Sequence, residues 1–185
     1  MVWFNNTPWA DGNAQVEVGD EVVVCGKTTL YNGVAETSSK KAWVYSVNGA
    51  TTDANGVGNA GAPFNIAGAK AFIDAKVAAE AAAKEAGASA PVFPDVCVKG
   101  KISEVVYTFS AQYGTATFWM SDDGSAKDFE AYSVYYFNNQ PWADGNKQVA
   151  AGDEVVVKGQ LTLYKTTYET SSKLAWLYSL NGATE

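Results

Sequence analysis

Residues 137–183 read FNNQPWADGNKQVAAGDEVVVKGQLTLYKTTYETSSKLAWLYSLNGA. Residues 4–50 write the same segment once before, as FNNTPWADGNAQVEVGDEVVVCGKTTLYNGVAETSSKKAWVYSVNGA. The offset is a constant 133 without a gap, and 33 of the 47 pairs are identical. A repeat this close means two copies of one module. Within it, Val155, Val157, Leu161 and Leu163 alternate with Glu154, Lys158, Gln160 and Thr162, the period of a strand with one buried face. Residues 91–136, which lead into the second copy, have no counterpart ahead of the first. The expected organisation is therefore a rear half-module at 1–50, a linker at 51–61 and a complete module at 62–185.

Working outward from the repeat, residues 94–185 read as five strands. Val96–Phe109 is long and β-branched, with Gly100 inside it as a bend. Gly114–Ser121 follows, with Ala116, Phe118 and Met120 on one face and Thr117, Trp119 and Ser121 on the other. Asp122-Asp123-Gly124 supplies a hairpin turn, since Asp and Gly tolerate positive φ. Phe129–Phe137, Glu154–Tyr164 and Lys173–Leu180 complete the set. Ahead of them, the Gly- and Asn-rich stretch 51–61 has the texture of a linker. A helix is expected over 65–86, capped by Asn65 and stopped by Gly87, with Ile66, Ala69, Ile73 and Val77 at helical spacing. Its apolar stripe covers only the first three turns, so the helix should dock there and project beyond.

Five short strands with Gly-rich turns, a long bent first strand and a hairpin after it point to a five-stranded OB-type barrel preceded by a helix. The fold class is thus mainly β with one helix, plus an incomplete second copy at the N-terminus. The elements PFNIAGAKAFI (63–73), DVCVKGKISEV (95–105), GTATFWMSDDG (114–124), FEAYSVYYFNN (129–139), AGDEVVVKGQLTLY (151–164) and AWLYSLNG (175–182) together resemble the OB-fold modules of cell-surface and secreted proteins of Bacteroidetes. The resemblance covers 62–185 as a module and 2–50 as the tail of another. It implies an OB barrel and a cell-envelope or extracellular setting, and carries little about function because that family is largely uncharacterised.

Composition narrows the chemistry. The chain has no histidine and no arginine; all 13 basic residues are lysine, and the formal net charge is −7. Missing histidine removes the usual general base and the commonest metal ligand. Missing arginine removes the bidentate fork for phosphate and guanine edges, and net acidity opposes attraction to nucleic acid or anionic membranes. In residues 91–185 seven lysines face eleven carboxylates. No apolar run is long enough to span a bilayer, and Met1 leads straight into VWFNN without a charged-then-apolar leader. No Ser–His or Cys–His pair, phosphate loop or zinc ligand set is possible, so the chain reads as non-enzymatic and without a cofactor. Two carboxylates could do glycosidase work, but no strand pattern selects a facing pair.

An OB barrel usually engages ligands on the outer face of its second and third strands, rimmed by the first and last hairpin loops. That surface would carry Trp119 and Tyr132, joined by Tyr136, with Gln112 and Tyr113 from one loop and Lys165, Tyr168 and Glu169 from the other. The aromatics could stack on sugars or bases, or could simply pack against the helix or neighbouring module. Lys99, Lys101, Lys158 and Lys165 are the only lysines available for a phosphate-binding groove, which disfavours the oligonucleotide alternative to a protein or glycan partner. The repeated PWADGN (8–13 and 141–146) reads as turn plus anchor, with Trp9 and Trp142 as ligand platforms the alternative. Asp122, Asp123 and Asp128, and likewise Asp53, Asn55 and Asn59, could offer oxygen ligands but lack EF-hand spacing. Cys25 and Cys97 read as buried or half-buried thiols; Cys25 stands where the second copy has Lys158, so no disulfide belongs to the repeat. The half-module should expose unpaired strand edges that pair with the complete barrel or with another chain.

Overall fold

The computed structural model describes residues 2–9, 13–110 and 112–185. An N-terminal hairpin of β1 (Val22–Tyr31) and β2 (Val34–Val47) forms a two-stranded sheet. The helix α1 (Ile66–Glu85) follows, and then β3 (Val96–Ser110), β4 (Thr115–Ser121), β5 (Phe129–Val134), β6 (Glu154–Tyr164) and β7 (Thr167–Leu180). These five close a barrel in the order β3-β4-β5-β7-β6, with β3 bonded back to β6. Counted within the barrel the order is one-two-three-five-four, and only the three–five seam is parallel. That is the OB plan, as the strand pattern predicts.

Alternation explains the closure. Ala116, Phe118 and Met120 of β4, Phe129 and Ala131 of β5, Val155 and Leu161 of β6, and Ala175 and Leu177 of β7 all lie in one core. β3 serves two neighbours: Val96–Lys101 pair with β6, and Lys101–Ser110 pair with β4. Gly100 stands at this handover, where an added Cβ would lie 2.8 Å from the Met120 Cε and 3.0 Å from the Ser121 carbonyl oxygen. The bend expected at Gly100 is thus a tight crossing, at which a side chain would press on Met120 and the β4 backbone.

The helix plugs one end of the barrel. Asn65 accepts a hydrogen bond from the Gly68 N–H at 2.8 Å, and Ile66, Ala69, Phe72 and Ile73 enter the core. Val77 is exposed, so docking ends after the first turns as the short apolar stripe requires. Trp142 closes the other end: it is 2% exposed, and its indole N–H donates to the Val134 carbonyl at 3.0 Å. PWADGN in the second copy is therefore turn and anchor, with Asp144-Gly145 at the turn. The Asp11-Gly12 turn of the first copy lies outside the described residues, while Trp9 stacks on Trp3 with ring centroids 3.7 Å apart.

Three boundaries differ from expectation. β7 starts at Thr167 instead of Lys173, because the polar run TYETSS pairs with β6 as an extended hairpin and Lys173 adopts a left-handed φ of 59° that bends the strand. β5 stops at Val134 instead of Phe137, where Ser133 at φ 53° bulges the strand and 137–139 turn into a 3-10 helix. The segment 51–61 is a strap as well as a connection. Asp53 accepts from the Trp3 indole N–H and the Ala14 N–H, the Gly58 carbonyl accepts from the Cys97 N–H, and Phe64 bridges to Val98. Gly56 and Gly58, at φ 77° and 74°, let the strap fold over the helix start.

The repeat recurs in three dimensions down to its irregularities. The Val23/Val24 and Gly26/Thr28 register shifts of β1 match Val156/Val157 and Gly159/Leu161 of β6. Asn48 and Asn181 each bond the Glu N–H and the Asp carboxylate at the start of their hairpin. Burial is where the copies part. Val155 is 0% exposed and its counterpart Val22 36%; Val149 is 2% exposed and Val16 46%. Of the two expected pairings, the one with the complete barrel does not form among the described residues, where β1 and β2 pair with each other and, through Trp43, with Val2. Among the described residues no further strand pairs with this hairpin, and Trp3, Phe4 and Val44 make a small cluster of their own.

Candidate functional site

Inward Phe129 and Ala131 force Glu130 and Tyr132 outward on β5. Inward Tyr168 and Thr170 do the same for Glu169 and Ser171 on β7, and inward Leu161 and Leu163 for Thr162 and Tyr164 on β6. Register then aligns four strands. Trp119 pairs with Glu130, Glu130 with Glu169, and Glu169 with Thr162, so these residues form one transverse row on the outer wall. The Glu130–Glu169 bridge is the one pair between β5 and β7 themselves; the Thr170 hydroxyl donating to the Tyr132 carbonyl at 2.8 Å and the parallel Tyr135–Trp176 bridge just beyond β5 complete the seam. With so little pairing the strands part beside it. A cleft of about 510 Å³ opens there, lined by Glu130, Tyr132, Thr162, Tyr164, Glu169, Ser171 and Ser172.

The electrostatics of this cleft are uncompensated. Glu169 is only 8% exposed, and among the described residues nothing hydrogen-bonds or ion-pairs with its carboxylate. Burial first, and the Glu130 charge second, push its pKa up to about 7. Burial raises Glu130 as well. Like charges directly opposite across a sheet are destabilising, so this pair is held in place by the fold around it. The structure thereby supplies the facing carboxylates that the strand pattern left unselected.

Of the expected site residues, Trp119, Tyr132 and Glu169 share this wall. Lys165 stands at its rim in the β6–β7 turn, its ammonium 5.3 Å from the Tyr164 ring centroid. Tyr168 turns inward instead: its hydroxyl donates to Asp74 of α1 at 2.9 Å, which raises its pKa, and Lys70 lies over its ring. Tyr113 sits on the β3–β4 hairpin with Gln112, at the far end, under the Lys173 ammonium. Tyr136 packs on Phe137 and Trp142. The cleft therefore lies over β5, β7 and β6, one seam from the β4–β5 face. Glu130, Thr162, Tyr164, Ser171 and Ser172 were not anticipated. One signal could have found most of them: Thr162, Tyr164, Glu169, Ser171 and Ser172 are all identical in the first copy, as Thr29, Tyr31, Glu36, Ser38 and Ser39.

Several of the other charged groups have structural partners. Asp122 accepts from the Ile66 N–H at the helix start, Asp123 caps its own turn through Ser121 and Ser125, and Asp128 pairs with Lys70 at 3.3 Å. These bonds hold Asp123 at a pKa of about 2. Lys99 and Lys101 line one cleft, where Lys99 pairs with Glu154 at 3.1 Å, while Lys158 covers the Trp176 ring and Lys165 the Tyr164 ring, so the four lysines do not gather in one groove. A cleft of about 560 Å³ between the strap and β3 is lined by Asp53, Lys99, Asp122 and Glu154, whose charges are met by the bonds just named. Both cysteines are free, and burial raises the Cys97 thiol. No family model, no curated protein and no solved structure matches the chain.

Proposed function

We propose that the chain is a non-enzymatic binding module that engages a protein partner or a glycan through the outer barrel wall over β5, β7 and β6. The observation that carries this reading is the Trp119–Glu130–Glu169–Thr162 row beside a cleft flanked by Tyr132 and Tyr164. Tyrosine and tryptophan faces suit sugar rings or apolar stems, while carboxylates and hydroxyls fix orientation. An acidic wall repels phosphate, which weighs against the oligonucleotide reading. We expect such a role at the cell envelope or outside the cell, on the sequence resemblance to Bacteroidetes surface modules alone.

Glycan-array and pull-down screens with the intact chain should yield a ligand whose binding falls at least tenfold in Trp119→Ala and Tyr132→Ala. Blank screens together with tight, salt-sensitive binding of a single-stranded oligonucleotide would overturn the proposal. The facing glutamates raise one competing reading, hydrolysis, which requires turnover that Glu169→Gln alone abolishes.

A further inference from the structure

We infer that the cleft recognises a primary ammonium group, carried by a lysine side chain or an amino sugar, and seats it between Glu130 and Glu169. This inference rests on the binding-module reading above and names the chemistry of its ligand. Two carboxylates meet across one strand seam, and one of them is more than nine-tenths buried with no partner among the described residues. A carboxylate largely removed from water and opening only into the cleft is costly when ionised, and a ligand carrying positive charge offsets that cost. Tyr132 and Tyr164, 38% and 58% exposed, offer ring faces to the stem behind the charge.

The donor set favours ammonium over other cations. Calcium takes six to eight oxygen ligands, and the described residues contain no cluster of three candidate metal ligands. A guanidinium pairs best with one carboxylate through its planar fork and leaves the other unmatched. An ammonium is a compact point charge with three donors, enough for Glu130, Glu169 and a hydroxyl of Thr162 or Ser171. The groups facing Glu169 are Glu130 and Tyr132 from β5 and Thr162 and Tyr164 from β6, with Ser171 beside it on β7 and Lys165 turned onto the Tyr164 ring at the rim. The N-terminal hairpin repeats Thr29, Tyr31, Glu36, Ser38 and Ser39 but has no strand to supply a second glutamate and tyrosine. It is a built-in control, and one ligand should bind per chain.

The test is an amide and side-chain NMR titration of the intact chain with Nα-acetyl-lysine methylamide, its norleucine analogue, glucosamine and N-acetylglucosamine. Expected are shifts confined to residues 119, 130–132, 162–164 and 169–172, silence at 29–39, and saturation by charged probes only. Whichever charged probe binds more tightly identifies the source of the ammonium. Because the ligand needs Glu169 ionised, lysine-probe affinity should rise about tenfold between pH 6 and pH 8. Glu130→Gln should weaken binding at least tenfold while leaving resonances outside the cleft unmoved, which guards against a folding artefact. Neutral and charged probes binding alike would overturn the ammonium inference and leave the binding-wall reading standing. If no probe shifts the cleft the inference also falls, and the glycan and pull-down screens decide the wider reading by themselves.

Discussion

Gly159 and Gly26 occupy the same position of the repeat, and alanine at each creates the same local lesion with different global consequences. At Gly159, φ is 154°, and a Cβ would lie 2.2 Å from the Leu174 carbonyl oxygen and 2.5 Å from the Ala175 Cα. Both atoms belong to the β7 backbone, so no side-chain rotation relieves the clash. Overpacking of this kind costs about 1–3 kcal/mol, and a β-carbon held in that backbone region adds about 1–3 kcal/mol. A sum of roughly 2–6 kcal/mol is a large share of a typical domain's stability. At about 4 °C per kcal/mol the barrel transition should fall by about 10–20 °C.

At Gly26, φ is 148°, and the Cβ would lie 2.3 Å from the Lys41 carbonyl oxygen and 2.4 Å from the Ala42 Cα. Yet β1 and β2 pair with no barrel strand, so Gly26→Ala should disturb the hairpin and leave the main transition within about 2 °C of the parent. Differential scanning calorimetry of both variants, with near-ultraviolet circular dichroism as a second probe, measures this. Equal losses would show that the two copies unfold as one cooperative unit and would refute the separation argued from their pairing. A harmless Gly159→Ala would refute the bulged β6–β7 register itself.

Trp142→Phe removes the indole bond to the Val134 carbonyl and leaves a buried acceptor unmet, so a urea midpoint should report a loss of about 1–3 kcal/mol. Glu169 holds its proton more tightly in the folded chain, at about 7 against an ordinary 4.5. Its contribution to stability is therefore complete below pH 4.5 and lost as pH rises through 7. The stability difference between the parent and Glu169→Gln, from urea melts along this pH range, should shift in favour of the variant as pH rises; a flat difference refutes the assignment. A thiol reagent should label the half-exposed Cys25 in the native chain and reach buried Cys97 only on unfolding, giving one and then two equivalents.

What was legible in the sequence was whatever depends on near neighbours. The bounds of β6 follow from Val155, Val157, Leu161 and Leu163 alternating without interruption, and the Asn65 cap and Gly87 stop follow from the chemistry of helix ends. The first half of β7 was hidden because Thr167–Ser172 show little apolar alternation; their pairing is dictated by β6 across a short hairpin. Asp53 gave no sign that it would tie Trp3 and Ala14 to the strap, since those partners lie 50 and 39 residues away. The candidate site was half visible for the same reason. Trp119, Tyr132 and Glu169 could be placed on an outer wall, but the meeting of Glu130 with Glu169 is created by the one parallel seam, a property of barrel closure.

The two copies differ in a way that bears on function. Facing the barrel interior, Leu161, Tyr168 and Leu177 become Thr28, Ala35 and Val44 in the first copy. Gln160 and Leu174 become Lys27 and Lys41, charges of the kind that protect an open sheet edge from unwanted pairing. The two copies thus differ inside and at their margins. On the outer wall the change is partial: Lys158 and Gln160 become Cys25 and Lys27, while Thr29, Tyr31, Glu36, Ser38 and Ser39 stand unchanged. Packing cannot explain that constancy, because a two-stranded sheet with an open inner face places no demand on the residues of its outer one. A shared surface chemistry can. In that account the rear half of the module carries most of the proposed binding wall, and in the complete copy the front half adds Glu130 and Tyr132 to it.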